Sequence, residues 1–138
     1  MKIEPYLFFD GRAEEAIAFY EAAVGAKREM LMRFSESPDP VPPEMAPDPS
    51  KVMHASLIIG ESRLMISDGC APSASPFHGF SLTVTLKDVA EVDRVFAALS
   101  EGGEVRMPLG KTFFSPRFGM LADRFGVAWT IIADDRGG

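Results

Sequence analysis

One cysteine, Cys70, stands in 138 residues, so no disulfide can form within the chain. A lone thiol fits a reducing compartment. Cations are scarce as well: 14 Lys and Arg against 20 Asp and Glu leave a formal net charge of −6. No basic stripe runs through the sequence, which argues against a nucleic-acid partner. No apolar run reaches the length that crosses a bilayer. The opening residues, MKIEPYLFFDGRAEE, meet acids early and hold no long apolar segment, so they do not read as a secretory signal. The expectation is a cytoplasmic protein that binds neither membrane nor nucleic acid. A glycine-rich phosphate loop is missing too: EGGEV, residues 101–105, follows a helix instead of opening one. What is plentiful is Phe, 11 residues, and Met, 8. They point to an adaptable, aromatic-rich interior, suited to a small-molecule cavity and equally to a plain core.

Periodicity divides the chain into two halves of the same order. Ile3 to Phe9 reads as a strand broken by Asp10 and Gly11. A helix follows, with Ile17, Tyr20 and Val24 at helical spacing and Gly25 as its C-cap. Residues 26–34, 52–60 and 62–68 read as three strands, the last two joined at Gly60–Glu61. The second half opens with an alternating strand, GFSLTVTLKD. Asp88 then caps a helix, with Glu91 completing a capping box. Val92, Val95, Phe96 and Leu99 form its apolar face, and Gly102 and Gly103 end it. Strands at 104–108, 112–121 and 127–134 complete the half. The reading is an α+β chain of two βαβββ modules, about 1–69 and 79–135, joined by a small-residue linker at 70–78. Ser35 to Ser50 holds six of the eleven prolines and reads as a long semi-extended loop.

This repeat, together with PYLFFDGRAEEAIAFY, VMHASLIIG and RFGMLADRFGVAWTI, resembles the PhnB-like group of glyoxalase-type proteins, in the vicinal-oxygen-chelate superfamily. The resemblance covers about residues 2–134. It implies that the two sheets form an open, cup-shaped mixed barrel with helices outside and a ligand within. It also implies a divalent metal held by His or Glu on the first and fourth strands of each module. Those positions fall here at Glu4, Met65, Ser81 and Thr130. Only Glu4 is a good ligand for such an ion; a thioether and two neutral hydroxyls are poor ones. No metal and no cofactor is therefore expected. Relatives include lyases, isomerases, dioxygenases and antibiotic-modifying or antibiotic-sequestering proteins, and some carry a methyltransferase label. No Gly-rich strand-to-helix turn is present to hold such a cofactor.

Strand alternation sorts the residues independently of any family. Glu4, Tyr6 and Phe8 share one face of their strand; so do Arg63, Met65 and Ser67; Ser81, Thr83 and Thr85; Ala128, Thr130 and Ile132. The opposite faces are apolar and should meet the helices. The mixed face reads either as the solvated side of an antiparallel sheet or as a pocket lining, and its large apolar members favour the pocket. His54 lies with Ser56 on one face of its strand. It reads as a general base or as a hydrogen-bonded structural histidine. Arg63 is an anion-binding candidate or an edge charge. A Cys70–His78–Asp68 set matches no common zinc spacing, and Cys70, without a flanking cation, reads as inert.

Two functional readings follow. One is a small-molecule binding protein, or an enzyme of modest chemistry, using Glu4, Tyr6, His54, Arg63, Met65, Ser81, Thr83 and Thr130 without metal. The other is a metal-dependent lyase, isomerase or dioxygenase with a relocated site built on Glu4 and His54. A homodimer is expected, because a single module leaves sheet edges uncovered and relatives are often dimers.

Overall fold

The computed structural model describes residues 1–38, 48–69 and 77–134. Most of the proline-rich loop, Cys70 and the linker through residue 76 lie outside the described residues. The chain divides into two compact units, Met1–Ser75 and Pro76–Gly138. Each is one βαβββ module.

In the first, β1 (Tyr6–Phe8) leads to α1 (Ala13–Val24), then β2 (Lys27–Arg33), β3 (Val52–Ile59) and β4 (Ser62–Ser67). The sheet order is β1-β4-β3-β2, with β1 parallel to β4 and the other pairs antiparallel. The second module repeats this. β5 (Leu82–Leu86), α2 (Val89–Ser100), β6 (Glu104–Gly110), β7 (Phe118–Ala122) and β8 (Ala128–Ala133) form the order β5-β8-β7-β6, with β5 parallel to β8. The repeat expected from element order alone is thus a repeat of topology and strand direction.

Each helix packs on one sheet face. Ala13, Ala16, Ile17, Tyr20 and Ala23 of α1 are buried over Leu7, Ala55, Leu57, Leu64 and Ile66. Val92, Val95, Phe96 and Leu99 of α2 are buried over Leu121, Trp129 and Ile131. Fully burying a Leu or Ile side chain stabilises by about 1.5–3 kcal/mol, so each layer stabilises its own module. Gly25 ends α1 in the left-handed region at φ 69°, as its C-cap position requires. Asp88 caps α2 by accepting from the Ala90 N–H at 2.9 Å. Glu91 does not complete the box but pairs with Arg94 at 2.9 Å.

Two strand boundaries differ from expectation. β1 begins at Tyr6, not Ile3: Pro5 has no N–H for the ladder, its carbonyl takes the Met65 N–H at 3.0 Å, and Ile3 is 93% exposed. Residues 112–117, read as strand, form a turn. The Thr112 N–H reaches Ser115 O at 2.9 Å, and the buried Ser115 hydroxyl donates to Ala133 O at 2.6 Å. Pro116 withholds a donor there, and pairing resumes at Phe118.

A buried carboxylate organises each module. Asp68 binds the N–H groups of Gly11, Ala13 and Val52 at 2.7, 2.8 and 2.9 Å. Asp123 binds those of Phe125 and Val127 at 2.9 and 3.1 Å and the Trp129 indole N–H at 2.9 Å. The first ties the end of β4 to the start of α1; the second shapes the turn into β8.

Candidate functional site

The sheet faces away from the helices carry the candidate residues, and register brings them into rows. In the first module Tyr6 lies beside Met65, Met65 beside Ser56, and Ser56 beside Met30. One row therefore crosses all four strands. The corresponding row of the second module is Thr83, Thr130, Met120 and Met107.

The first of these faces is aromatic and charged. Tyr6 and Phe8, two residues apart on β1, stack with centroids 4.8 Å apart and planes at 21°. They are 39% and 48% exposed. The His54 ring meets Tyr6 edge-on at 5.4 Å, and its Nδ1 shares a 2.8 Å hydrogen bond with the Tyr6 hydroxyl. This contact fixes the imidazole's orientation and holds the phenol at one place on the face. Met30, in register with Ser56 at the opposite edge of the sheet, is 40% exposed.

Arg63 is engaged on the same face. Its Nε and Nη2 donate to the two oxygens of Glu29, each at 2.9 Å, a bidentate pair. Ser56 donates to Glu29 at 2.8 Å, and Glu4 reaches Arg63 Nη1 at 3.5 Å. The Arg63 hydrogen bonds, seconded by that of Ser56, hold the Glu29 carboxyl below the ordinary value for a glutamate. The guanidinium fork that made Arg63 an anion-binding candidate is occupied by a carboxylate of the chain itself.

Glu29 went unnoticed in the sequence. Simple alternation does not predict its contact, because a register shift between Arg28 and Met30 makes it the extra residue of a β-bulge. The bulge turns its side chain onto the open face. Only its charge, complementary to Arg63, could have pointed to it. The second module bulges at the matching place, between Val105 and Met107, where the extra residue is Arg106.

In the second module Ser81 Oγ and Thr130 Oγ1 share a 2.9 Å hydrogen bond, and Thr83 is in register with Thr130. Thr130 is only 8% exposed. Its hydroxyl is satisfied by Ser81, which accounts for a polar residue inside an otherwise apolar strand.

Of the four positions at which the resemblance places metal ligands, then, Ser81 and Thr130 bond each other, Met65 offers a thioether, and Glu4 leans toward Arg63. This donor set does not fit a divalent ion that takes imidazole or carboxylate ligands. Among the described residues no three His, Cys, Asp or Glu side chains converge as a metal site. Asp68 has both oxygens occupied by backbone N–H groups; Cys70 lies outside the described residues.

Three close likenesses place the chain among known proteins. The protein PA1353 of Pseudomonas aeruginosa is 40% identical with a TM-score of 0.85, over 97% of this chain and 98% of that one. A PhnB protein from Bacillus cereus is 32% identical with a TM-score of 0.81, over 96% and 99%. Protein YjdN of Escherichia coli K12 is 32% identical over 95% of this chain and 94% of its own. In fold alone, a glyoxylase/bleomycin resistance protein/dioxygenase domain from Frankia is also similar, with a TM-score of 0.66 at 10% identity. The family model that matches residues 1–132 is described as 3-demethylubiquinone-9 3-methyltransferase. That description belongs to the family; in this chain the two strand-to-helix turns, residues 9–12 and 87–88, contain one glycine, Gly11. Two βαβββ modules, matching sheet orders and a family match spanning nearly every residue make this chain a member of the PhnB-like family, with the glyoxalase/bleomycin-resistance fold.

Proposed function

We propose that the protein binds a small molecule on the open faces of its sheets without the superfamily's metal. The observation that carries this reading is the face of the first module. Exposed Tyr6, Phe8 and Met30 stand there among convergent His54, Ser56, Glu29 and Arg63. Large apolar groups with a few placed polar ones are the usual composition of a ligand site. Glu4 and Met65 extend it, and Ser81, Thr83 and Thr130 supply the smaller polar face of the second module.

A thermal-shift screen of a metabolite library tests it. A ligand at about 100 times its Kd adds about 2.7 kcal/mol, a rise in Tm of several degrees. The expected hits lose their effect in Tyr6→Ala or Thr130→Val. Hits indifferent to both substitutions would place binding elsewhere.

One observation favours a second reading, the metal-dependent lyase, isomerase or dioxygenase with Glu4 and His54 as ligands. The Tyr6 hydroxyl engages Nδ1 of His54, and in the tautomer in which Nδ1 donates that bond Nε2 carries the lone pair, the way a ligating histidine is usually braced. Equilibrium dialysis with elemental analysis decides between the two. Metal-free protein is expected; stoichiometric Mn, Fe, Ni or Zn retained by wild type and lost in Glu4→Gln establishes the metal reading instead.

The proposal includes a cytoplasmic homodimer. Light scattering at low micromolar concentration should give twice the chain mass. A monomer mass with an intact circular-dichroism spectrum overturns the dimer.

A further inference from the structure

We infer that the open face of the first module selects flat aromatic cations over anions of the same shape. This rests on the small-molecule reading above and assigns the class of ligand. The stacked Tyr6–Phe8 pair offers an aromatic surface whose π-faces attract positive charge. Its position is fixed, since the Tyr6 hydroxyl is bonded to His54 and ring stacking orients Phe8. Met65, in register with Tyr6 on the adjoining β4, adds a polarisable flank that accommodates rings.

The charges beside this platform point the same way. Arg63 is the cation of the face, and it is bracketed by two carboxylates, Glu29 at 2.9 Å and Glu4 at 3.5 Å. An incoming anion would have to displace Glu29 from the guanidinium fork and then face the displaced carboxylate. A cation meets no such cost and gains the field of Glu4, whose contact with Arg63 is the longer of the two. Lys2 is a cation whose field reaches Glu29 more weakly than that of Arg63; it acts in the opposite sense and is outweighed by the two carboxylates. The whole chain, at −6, adds a background that favours cations without selecting among them.

Selection by the face and attraction by the background are separable. N-methylacridinium and anthracene-9-carboxylate are three-ring probes of nearly equal shape and opposite charge, and both are followed by fluorescence titration. Wild type should bind the acridinium at least about tenfold more tightly. Glu29→Lys should weaken acridinium binding by about tenfold, and Tyr6→Leu should weaken it by a similar factor. Glu61→Lys makes the same charge change at the β3–β4 turn, outside the face, and should leave the affinity nearly unchanged. Circular dichroism confirms folding of each variant, and Glu29→Gln replaces Glu29→Lys if the latter fails to fold.

Equal or tighter binding of the carboxylate, or failure of both probes to bind, overturns the inference. So does a loss in Glu61→Lys as large as that in Glu29→Lys, which assigns the preference to bulk charge. If both probes bind equally and both depend on Tyr6, the charge preference falls while the small-molecule reading stands.

Discussion

Replacing Asp68 by Ala should cost about 3–5 kcal/mol, as three backbone donors lose their acceptor together and each buried loss is worth about 1–3 kcal/mol. The carboxylate is buried and bonds Gly11, Ala13 and Val52. It therefore does for α1 what a helix normally does for itself. Arg12, the N-cap residue, makes no side-chain cap bond, and the negative charge that complements the start of the helix comes instead from the end of β4, 55 residues away from Ala13. Asp68→Asn keeps one acceptor and turns an amide toward the remaining N–H groups, so it should fall between. By contrast Asp88→Ala, at the exposed cap of α2, should cost only about 1 kcal/mol. Chemical denaturation of the three variants checks the order. A loss below 1 kcal/mol for Asp68→Ala would show that water replaces the carboxylate. Against a typical total stability of about 5–15 kcal/mol, the expected loss threatens folding itself.

Gly103→Ala is the second large effect. A Cβ at this position would meet the Ala122 carbonyl oxygen, with the Asp123 carbonyl carbon at 2.8 Å and its Cα at 2.9 Å. All three are backbone atoms, so no side chain can swing aside. Glu104 pairs with Ala122 in the first step of the β6–β7 ladder, and the two strands must separate to admit the methyl group. Overpacking of this kind costs about 1–3 kcal/mol, and the upper end is expected because the obstruction is main chain. Its neighbour separates the causes. Gly102 sits at φ 77° against the side chain of Arg124, nearest atom 3.3 Å, so Gly102→Ala meets left-handed backbone strain of about 1 kcal/mol and a movable neighbour. Thermal melts should rank Gly103→Ala as the less stable variant; the reverse order would mean that backbone conformation, not space, fixes this corner.

The same corner shows what sequence carries and what it omits. The GG pair was legible as a helix stop. The reason for its second glycine was not, since it depends on a strand 19 residues later. Element order, both helices and the division of strand faces were legible because they follow from periods of 3.6 and 2. The Tyr6, Met65, His54 and Ser56 group follows from those faces once register is known. Alternation puts Arg63 on one face with Met65, but its occupied fork was hidden, because the bulge at Glu29 breaks the alternation on which such reasoning depends. Asp68 was hidden for a different cause: a long-range cap leaves no local signature in either segment that it joins. The turn at residues 112–117 was mistaken for strand because Thr112, Phe113 and Phe114 have strand composition, whereas Ser115 and Pro116 decide the geometry.

The bulges also bear on how copies of the chain meet in a crowded solution. β2 and β6 are outer strands of their sheets, and an outer strand exposes unpaired main-chain groups that can template the strand of another molecule. Both are irregular where such templating needs a flat ladder. Lys27, Arg28 and Glu29 crowd one with exposed charge; Glu104, Arg106 and Pro108 interrupt the other. A chain growing onto either edge would have to bury these charges or skip a donor that Pro108 does not have. The same kink that aims Glu29 at Arg63 therefore guards its sheet against fibrous growth, and a substitution that straightened it would take that carboxylate off the open face and leave a flat edge exposed to aggregation at once.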